Sequence, residues 1–255
     1  MKYEIIQPCD VLNDFISHFW VGTWDANTQN TNSTHYIIAS SLTEITFAFK
    51  DNKKHSELLF TSIQGQTVEP NQYSVDKYYH LIGVSFYSHA LPYLFNIPAT
   101  ELNNEYLSLD VFLGQDARIL NEKIVCAHSI EQRIRILSEY FINLVRKQRF
   151  EDRLILNAID DIRKKGGQVK VKEITSDYGL SQKQFARRFK VFTGFNPKLY
   201  SRIIRFESVI KNHRKAQNLT DLAYLNDYYD QAHFIHEFKS FTGFSPKDFW
   251  KLSEG

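Results

Sequence analysis

The chain has 255 residues, 43% of them hydrophobic and 24% charged, a composition typical of a folded protein with room for two domains. It contains no apolar run near the ~20 residues that a membrane-spanning helix needs, and no apolar stretch after its first lysine that would indicate a signal peptide. Its only cysteines are Cys9 and Cys126, so we expect a cytoplasmic protein with reduced thiols. Residues 1–150 carry 12 Lys and Arg against 16 Asp and Glu, whereas residues 151–255 carry 19 against 13, which favours a polyanion as the partner of the C-terminal part.

The first 110 residues are predicted to form β-structure. The segments TEITFAFK (43–50), ELLFTSIQ (57–64) and YYHLIGVSFYS (78–88) are rich in β-branched and aromatic residues and are separated by polar turns. This pattern is typical of an antiparallel sheet or a small barrel.

Two amphipathic helices are predicted after the β-rich part. In residues 129–147 Ser129 is placed to cap a helix whose apolar stripe consists of Ile134, Leu137, Tyr140, Phe141, Leu144 and Val145. The stripe is buried either within its own domain or against a second subunit, and the sequence leaves both open. Residues 149–167 predict a further helix that ends at Gly166–Gly167 and begins the C-terminal domain.

The C-terminal part contains an internal repeat. Residues 185–200 read FARRFKVFTGFNPKLY and residues 234–249 read FIHEFKSFTGFSPKDF, with nine of sixteen positions identical. The similarity continues upstream, where residues 173–185 align with residues 221–234 and the second copy has one extra residue in its turn. The chain therefore carries two copies of one supersecondary unit.

Each copy is predicted to be a helix-turn-helix unit. The first covers about residues 171–194, the second about residues 219–243, and a helix over about residues 197–213 joins them. Ser181 and Asp230 are placed to cap the second helix of each unit. The buried faces of these helices are formed by Phe185, Phe189 and Phe192 and by Phe234, Phe238 and Phe241. A short, tightly turned helix pair with a polar exposed face is typical of units that bind DNA.

The repeat resembles the DNA-binding domain of the AraC/XylS family of bacterial transcription regulators. The resemblance is carried by G-L-S-x-x-x-F-x-R-x-F-K-x-x-x-G-F-x-P and then Y-D-Q-A-H-F-x-x-x-F-K-x-F-T-G-F-S-P, and it covers roughly residues 150–250. It implies a transcription regulator that binds double-stranded DNA sequence-specifically, contacts RNA polymerase and acts as an activator. It also implies that the two recognition helices enter major-groove faces about one helical turn, ~34 Å, apart.

The N-terminal part is similar to the upstream domain of a subgroup of these regulators, which is itself similar to the cupin-like sensor domains of the family. GVSF (83–86), NIPATEL (96–102) and FLG (112–114) carry this similarity. The implied fold class is α+β, with a β-rich cupin-like barrel or sheet, trailing helices and an all-α C-terminal domain. We place a sensor or dimerisation domain at residues 1–148 and the DNA-binding domain at residues 149–255.

The apolar face of each second helix determines which of its side chains can reach DNA. We expect base contacts from Lys183 and Arg187 in the first unit. In the second unit the residues at the base-contacting positions of the family are Gln231, Ala232, His233 and His236. Contacts to the DNA backbone are expected from Ser181, Gln182, Arg188, Lys190 and Lys239. A solvated polar face without base contacts is the alternative for each of these residues.

The second unit departs from the family pattern at two places. Asp227 stands where the turn usually has glycine, and Asp tolerates a left-handed backbone better than most residues. His236 and Glu237 stand where a basic residue is frequent. Because the second helix then carries little positive charge, we expect it to contribute less affinity for DNA than the first.

A cupin-like sensor domain implies a ligand pocket. The residues that we expect to line it are the aromatic side chains of Trp20, Trp24, Phe47, Phe49 and Phe86, and the alternative is that each of them is a core residue. The sequence leaves open whether a small-molecule effector exists and whether the protein is a homodimer.

A metalloenzyme is another function class to weigh, because cupin-like barrels can hold a metal. Such a site needs closely spaced histidines followed by a carboxylate, whereas the N-terminal histidines, His18, His35, His55, His80 and His89, are scattered. Motifs of hydrolases, zinc proteases and phosphate-binding loops are also absent. We therefore expect no metal, no cofactor and no enzymatic activity.

A further alternative is a small-molecule sensor that acts through protein contacts with a weakened DNA-binding unit, which the acidic residue of the second helix would support.

Overall fold

The computed structural model describes residues 2–24, 34–53, 56–74, 78–147, 152–170, 173–174 and 179–254. The chain forms a strand-rich unit followed by a helical region, which confirms the α+β class. The strand-rich unit, called the sheet unit here, comprises Met1–His35, Leu42–Gly65 and Tyr73–Glu151. The second, called the helical unit, comprises Tyr36–Ser41, Gln66–Gln72 and Asp152–Gly255.

An antiparallel sheet forms the frame of the sheet unit. The strands are β1 (Lys2–Ile6), β2 (Ile16–Trp24), β3 (Thr34–Ile37), β4 (Leu42–Phe49), β5 (Leu58–Gln64), β6 (Asn71–Ser74), β7 (Tyr79–Tyr87) and β8 (Tyr106–Ser108). Six of them form one sheet in the order β1–β2–β7–β4–β5–β8, and β3 pairs with β6 separately. The three segments from which strands were predicted correspond to β4, β5 and β7.

The two faces of the six-stranded sheet differ because side chains alternate along each strand. One face carries the buried residues Phe19, Val21, Ile45, Phe47, Phe49, Ile63, Ile82, Val84 and Phe86. It shares a core with the helices α1 (Leu109–Leu113), α2 (Gln115–Cys126) and α3 (Ile130–Lys147). The opposite face lines a cavity.

The apolar stripe predicted on residues 129–147 is buried within the sheet unit. Leu137 and Phe141 on α3 are fully buried, and the ring centroids of Phe141 and Phe86 are 5.5 Å apart. Arg133 on the same helix is also buried, with its guanidinium 4.0 Å from the ring centroid of Phe49. Of the two alternatives for this stripe, the structure therefore shows packing within its own domain.

The helical unit is built around phenylalanine side chains. Its helices among the described residues are α4 (Arg153–Lys164), α5 (Gln182–Thr193), α6 (Pro197–Asn212), α7 (Leu219–Leu225), α8 (Gln231–Thr242) and α9 (Pro246–Glu254). The predicted helix-turn-helix units end in α5 and α8, and α6 is the helix that joins them. The first helix of the first unit lies outside the described residues except for the helical pair Glu173–Ile174. None of the described helices of the chain is long and apolar enough to cross a bilayer.

The sequence repeat is also a repeat of hydrogen bonds. The side chains of Ser181 and Asp230 accept the N–H three residues on, at 3.3 and 2.7 Å, which confirms both predicted caps. Both helices end at a glycine with left-handed backbone, Gly194 with φ 77° and Gly243 with φ 79°. The threonine before each glycine donates to the carbonyl four residues earlier at 2.9 Å in both copies. The shared core of the repeat therefore fixes the same backbone geometry twice.

Two short segments from the N-terminal half of the sequence pack inside the helical unit. The backbone N–H of Ala39 donates to the carbonyl of Phe241 at 2.9 Å, and that of Ser41 donates to Oε1 of Glu207 at 2.7 Å. The segments 36–41 and 66–72 also meet each other through a β-bridge. The domain boundary expected near residue 149 assigns both segments to the N-terminal domain, whereas in the structure they belong to the helical unit.

Candidate nucleic-acid interface

The exposed face of α5 carries cations and no carboxylate. Lys183, Arg187 and Lys190 are exposed, together with Gln182 and the cap residue Ser181, and the helix sequence contains no Asp or Glu. Ala186 is half-buried between them. Lys183 and Arg187 are four residues apart and share one side of the helix. This face can accept a phosphodiester backbone and can present a guanidinium to a base edge.

Arg188 does not belong to this face. Its Nε donates to Oδ2 of Asp152 at 2.9 Å and its Nη2 donates to Oδ1 at 2.6 Å, which is the bidentate geometry of a strong charge-assisted pair. Asp152 also caps α4 through the N–H of Ile155 at 3.3 Å. One position along a helix is a rotation of about 100°, which turns Arg188 away from Lys183 and Arg187 and towards α4, so Asp152 holds the guanidinium that we expected at the DNA backbone.

The exposed face of α8 is polar, with fewer cations than α5. Gln231, Ala232, His233, His236 and Lys239 are all exposed. The side-chain oxygen of Gln231 accepts a hydrogen bond from the Thr220 hydroxyl on α7 at 2.8 Å, which leaves its amide N–H₂ free to face outwards. All five predicted residues of the second unit are therefore accessible to a partner.

Glu237 is absent from that face because it lies in a buried ion cluster. Its side chain is 2% exposed, and its two oxygens accept hydrogen bonds from Nε of Arg202 at 2.6 Å and from Nη2 of Arg205 at 2.8 Å. Burial acts to raise the pKa of Glu237, but the hydrogen bonds and charges of the two arginines outweigh it and hold the pKa below its ordinary value. The guanidinium of Arg205 also lies 4.2 Å from the ring centroid of Tyr228. Glu237 therefore does not reduce the positive charge that α8 offers to DNA.

Arg188 and Glu237 occupy equivalent positions of the two repeats. Each follows the outward-facing residue, Arg187 or His236, and each is paired with charges on a neighbouring segment. The charges are opposite, but the structural role is the same: each pair fixes a recognition helix against the helix that supports it. The sequence analysis did not predict this role. The signal that could have indicated it is the change from arginine at 188 to glutamate at 237 within an otherwise similar repeat.

The turns of the two units have the same backbone conformation despite different residues. Gly179 has φ +62° and Asp227 has φ +57°. The left-handed backbone expected at Asp227 is confirmed. Its carbonyl accepts a long hydrogen bond from Nη1 of Arg205 at 3.4 Å, which ties the turn to the same ion cluster.

A cavity of about 410 Å³ lies within the sheet unit. Its described lining residues are Tyr3, Trp20, Trp24, His35, Glu44, Thr46, Phe60, Ser62, Gln64, Tyr73, Tyr79, Leu81 and Tyr106. The volume is within the usual range for small-molecule sites.

Two of the five aromatic residues expected at a ligand pocket line this cavity. Trp20 and Trp24 on β2 contribute to its wall, whereas Phe47, Phe49 and Phe86 lie in the core on the opposite face of the sheet. The reason is the two-residue period of a strand, which separates neighbouring side chains onto opposite faces. For these three phenylalanines the core alternative is correct.

Within the described residues, no group of three or more His, Cys, Asp and Glu side chains is placed to hold a metal ion. His80 and His89 are buried and contact neighbouring side chains or backbone: the carbonyl of Asp14 lies 2.6 Å from Nε2 of His89. His55 lies outside the described residues.

Two family models match the chain. Residues 174–251 match a family described as a helix-turn-helix domain. The chain carries an AraC-type helix-turn-helix domain. It is a DNA-binding transcription regulator. Residues 4–108 match a domain of unknown function (DUF6597), which covers most of the sheet unit.

Solved structures of ToxT from Vibrio cholerae are similar to this chain in fold. One, in a P21 crystal form, has 11% identity and a TM-score of 0.50 and covers 91% of this chain and 97% of its own. Another, ToxT bound to an unsaturated fatty acid, has 13% identity and a TM-score of 0.51 and covers 91% of this chain and 94% of its own. No curated protein matches the chain.

Proposed function

We propose that this regulator reads one extended site in double-stranded DNA with both α5 and α8. Base contacts are assigned to Lys183, Arg187, Gln231, Ala232, His233 and His236, and backbone contacts to Ser181, Gln182, Lys190 and Lys239. The observation that carries the proposal is that the exposed faces of α5 and α8 carry no carboxylate. The charged residues Arg188 and Glu237 instead form ion pairs that hold the two helices against neighbouring segments. Arg188 is left out of the backbone contacts because Asp152 already holds it.

A gel-shift titration with the DNA that flanks its own gene tests the proposal. Binding is measured on this DNA and on a scrambled duplex of equal length, at low salt and at ~200 mM salt, where purely non-specific phosphate contacts weaken steeply. We expect preference for the flanking DNA to persist at the higher salt. Equal affinity for both duplexes at both salt concentrations contradicts sequence-specific recognition.

The sheet unit is proposed to hold the regulatory site. ToxT, a protein with a similar fold, was solved with an unsaturated fatty acid bound, and the cavity of the sheet unit supports a small-molecule effector site in this chain. The proposal extends to activation of transcription through contact with RNA polymerase, to action at the nucleoid in the bacterial cytoplasm, and to a homodimer. It includes no catalytic step. Melting of the purified protein against a metabolite panel tests the effector, because a ligand that binds only the folded state raises the melting temperature.

The alternative of a sensor with a weakened DNA-binding unit rested on an acidic second recognition helix. Glu237, the residue that supported it, is 2% exposed and paired with two arginines. The exposed face of α8 then carries Lys239 and two histidines and no carboxylate. This observation favours DNA binding by both helices.

A further inference from the structure

The described lining of the cavity in the sheet unit combines aromatic rings with a single carboxylate. We propose that it binds an organic cation, a small primary or quaternary ammonium compound, which the aromatic rings surround and Glu44 neutralises. The inference rests on the proposed effector site in the sheet unit and names the chemical class of its ligand. It is carried by the placement of the rings, by the position of Glu44 and by the charges of the other lining residues.

The rings come from strands that surround the cavity on several sides. Trp24, His35 and Tyr73 form a continuous row, with ring centroids 5.8 Å apart for the first pair and 4.9 Å for the second. Trp20 stacks on Tyr3 at 5.5 Å, and further rings are contributed by Phe60, Tyr79 and Tyr106. Rings of Trp and Tyr attract ammonium groups through their electron-rich faces, and several such rings around one space form the aromatic cage that recognises quaternary ammonium ligands.

Glu44 supplies the negative charge. It lies on β4 directly opposite Ser85 of β7, whose hydroxyl donates to its Oε1 at 2.6 Å. The side chain is half-buried and is one of the residues that line the cavity. Burial raises the pKa of Glu44 against the opposing effects of the Ser85 hydroxyl and the nearby indole of Trp20, whose N–H does not reach hydrogen-bond geometry. A buried carboxylate without a counter-charge is costly, and a bound cation removes that cost.

The remaining charges argue against an anionic ligand. The described lining residues include no lysine and no arginine. His35 is the one basic residue among those described in the lining, and burial lowers its pKa, which favours the neutral imidazole. Among the described lining residues, a carboxylate ligand would meet Glu44 and find no lysine or arginine to pair with, so this part of the wall differs in charge from one suited to a fatty acid.

The shape of the cavity depends on a close approach between β2 and β7. Trp20 is paired with Gly83 across the two strands, and a methyl group at residue 83 would overlap the indole ring of Trp20. Glycine therefore lets the indole lie flat on the sheet as a wall of the cavity. In this arrangement the ring of Trp20 lies near Glu44, so one ammonium group can contact both.

Isothermal titration calorimetry on the full-length protein tests the charge requirement with ligands of matched shape. Choline is compared with 3,3-dimethylbutan-1-ol, its neutral carbon analogue, and with 3,3-dimethylbutanoate, an anion of similar shape. A second series compares 2-phenylethylamine, 2-phenylethanol and phenylacetate. We expect a cation to bind in at least one series, with its neutral and anionic analogues weaker by at least about tenfold.

Variants assign the binding to this cavity. Glu44→Gln keeps the shape and removes the charge, and we expect it to weaken cation binding by at least about tenfold, whereas Glu4→Gln, an exposed change on β1, leaves it unchanged. Tyr73→Leu at the rim weakens binding and Tyr73→Phe, which retains the ring, preserves it. The Tyr73 pair and the ligand series still decide the question if Glu44→Gln does not fold.

The inference is overturned if no cation binds at millimolar concentration, if a neutral or anionic analogue binds as tightly as the cation, or if folded Glu44→Gln binds the cation like the wild type. A gel shift on the same preparations separates this failure from that of the regulator itself. Specific DNA binding without cation binding removes only the ligand class, whereas cation binding without specific DNA binding removes the DNA-reading proposal.

Discussion

Neighbouring residues on a recognition helix have separate tasks in this protein. Arg187 is exposed and Arg188 is bound to Asp152, although both are arginines with the same chemistry. The difference arises from their angular positions on α5, because only one of them points away from the supporting helix. The same division holds for His236 and Glu237 on α8. Mutations at adjacent positions are therefore expected to affect different measurable properties.

Arg187→Ala is expected to weaken binding to the specific site by about 1–3 kcal/mol and to relax discrimination at one base pair, because the variant cannot form a bidentate pair with guanine. Its free energy of unfolding should stay within about 0.5 kcal/mol of the wild type. Gel shifts on a set of single-base variants of the site provide the measurement, with Arg118→Ala, an exposed arginine on α2, as the control. Equal weakening on every DNA sequence would assign Arg187 to the backbone instead.

Arg188→Ala is expected to act on stability. Losing the pair with Asp152 should lower the free energy of unfolding by about 1 kcal/mol, a modest value because the Arg188 side chain is 37% exposed and solvent screens the pair. Urea unfolding measures the change. Weaker DNA binding with unchanged stability would show that Arg188 contacts DNA and that the ion pair is incidental.

The charge of Glu44 is expected to cost stability in the free protein. Since burial raises its pKa in the folded state, ionisation of Glu44 costs more free energy in the folded protein than in the unfolded chain, and the contribution of this group to stability is lost as the pH rises through the folded-state pKa. Glu44→Gln should therefore melt at a higher temperature than the wild type near neutral pH. The difference should vanish below the ordinary carboxyl pKa of 4.5. Titrating groups that the variant retains, such as Glu207, cancel in this comparison. Melting curves across this pH range decide the point, and a difference independent of pH would mean that packing and not charge is responsible.

At the scale of elements, the orientation of α8 depends on the cluster formed by Glu237, Arg202 and Arg205. Arg205 contacts both Glu237 and the turn residue Asp227. The cluster thus connects the joining helix α6 to the turn and to the recognition helix of the second unit. Its partners are buried unequally, with side chains 39%, 15% and 2% exposed for Arg202, Arg205 and Glu237.

Glu237→Gln is expected to destabilise the helical unit by about 3 kcal/mol, since removing one partner leaves the buried charge of Arg205 uncompensated. The lowered pKa of Glu237 also fixes the sign of the pH dependence: its contribution is present at neutral pH and is lost as the pH falls through the folded-state pKa, below 4.5. Urea unfolding at neutral and acid pH measures both effects. The control Glu173→Gln removes an exposed pair with Lys170 and should cost less than about 1 kcal/mol. Equal effects of the two variants would show that the buried cluster contributes little.

Local patterns predicted most of the helical unit and less of the sheet unit. Caps, glycine stops and the Phe stripes of α5 and α8 are encoded within a few residues, so they were visible in the sequence. Alternation along β2 predicts that Trp20 and its sequence neighbours point to opposite faces of the sheet. Which of the two faces packs against the helices depends on distant parts of the chain. The segments 36–41 and 66–72 illustrate the same limit, because their partners, such as Glu207, are more than a hundred positions away in the sequence.

At the scale of the whole molecule, the excess of positive charge in residues 151–255 is expected to determine the salt dependence of DNA binding. Lys190 and Lys239 occupy equivalent positions of the repeat and are exposed. The double variant Lys190→Ala/Lys239→Ala should reduce the slope of log K against log salt by about 0.9 for each phosphate that is no longer neutralised, and should weaken binding alike on all sequences. Titrations at several salt concentrations measure the slope, with Lys123→Ala on α2 as the control. An unchanged slope would place both lysines away from the DNA backbone.

In a regulator with one ligand site and one DNA site, any coupling between the two sites is reciprocal. If a cation in the sheet-unit cavity changes the affinity for DNA by some factor, the same DNA must change the affinity for the cation by the same factor, because both paths lead to one ternary complex. For an effector we expect a factor of about 5–150. Calorimetry of choline or 2-phenylethylamine binding with and without the operator duplex, and gel shifts with and without the same cation, measure the two factors independently. Glu44→Gln should abolish both, whereas Glu4→Gln should leave both unchanged. A factor of one in each direction, with tight cation binding intact, would show that the cavity binds its ligand without regulating DNA recognition.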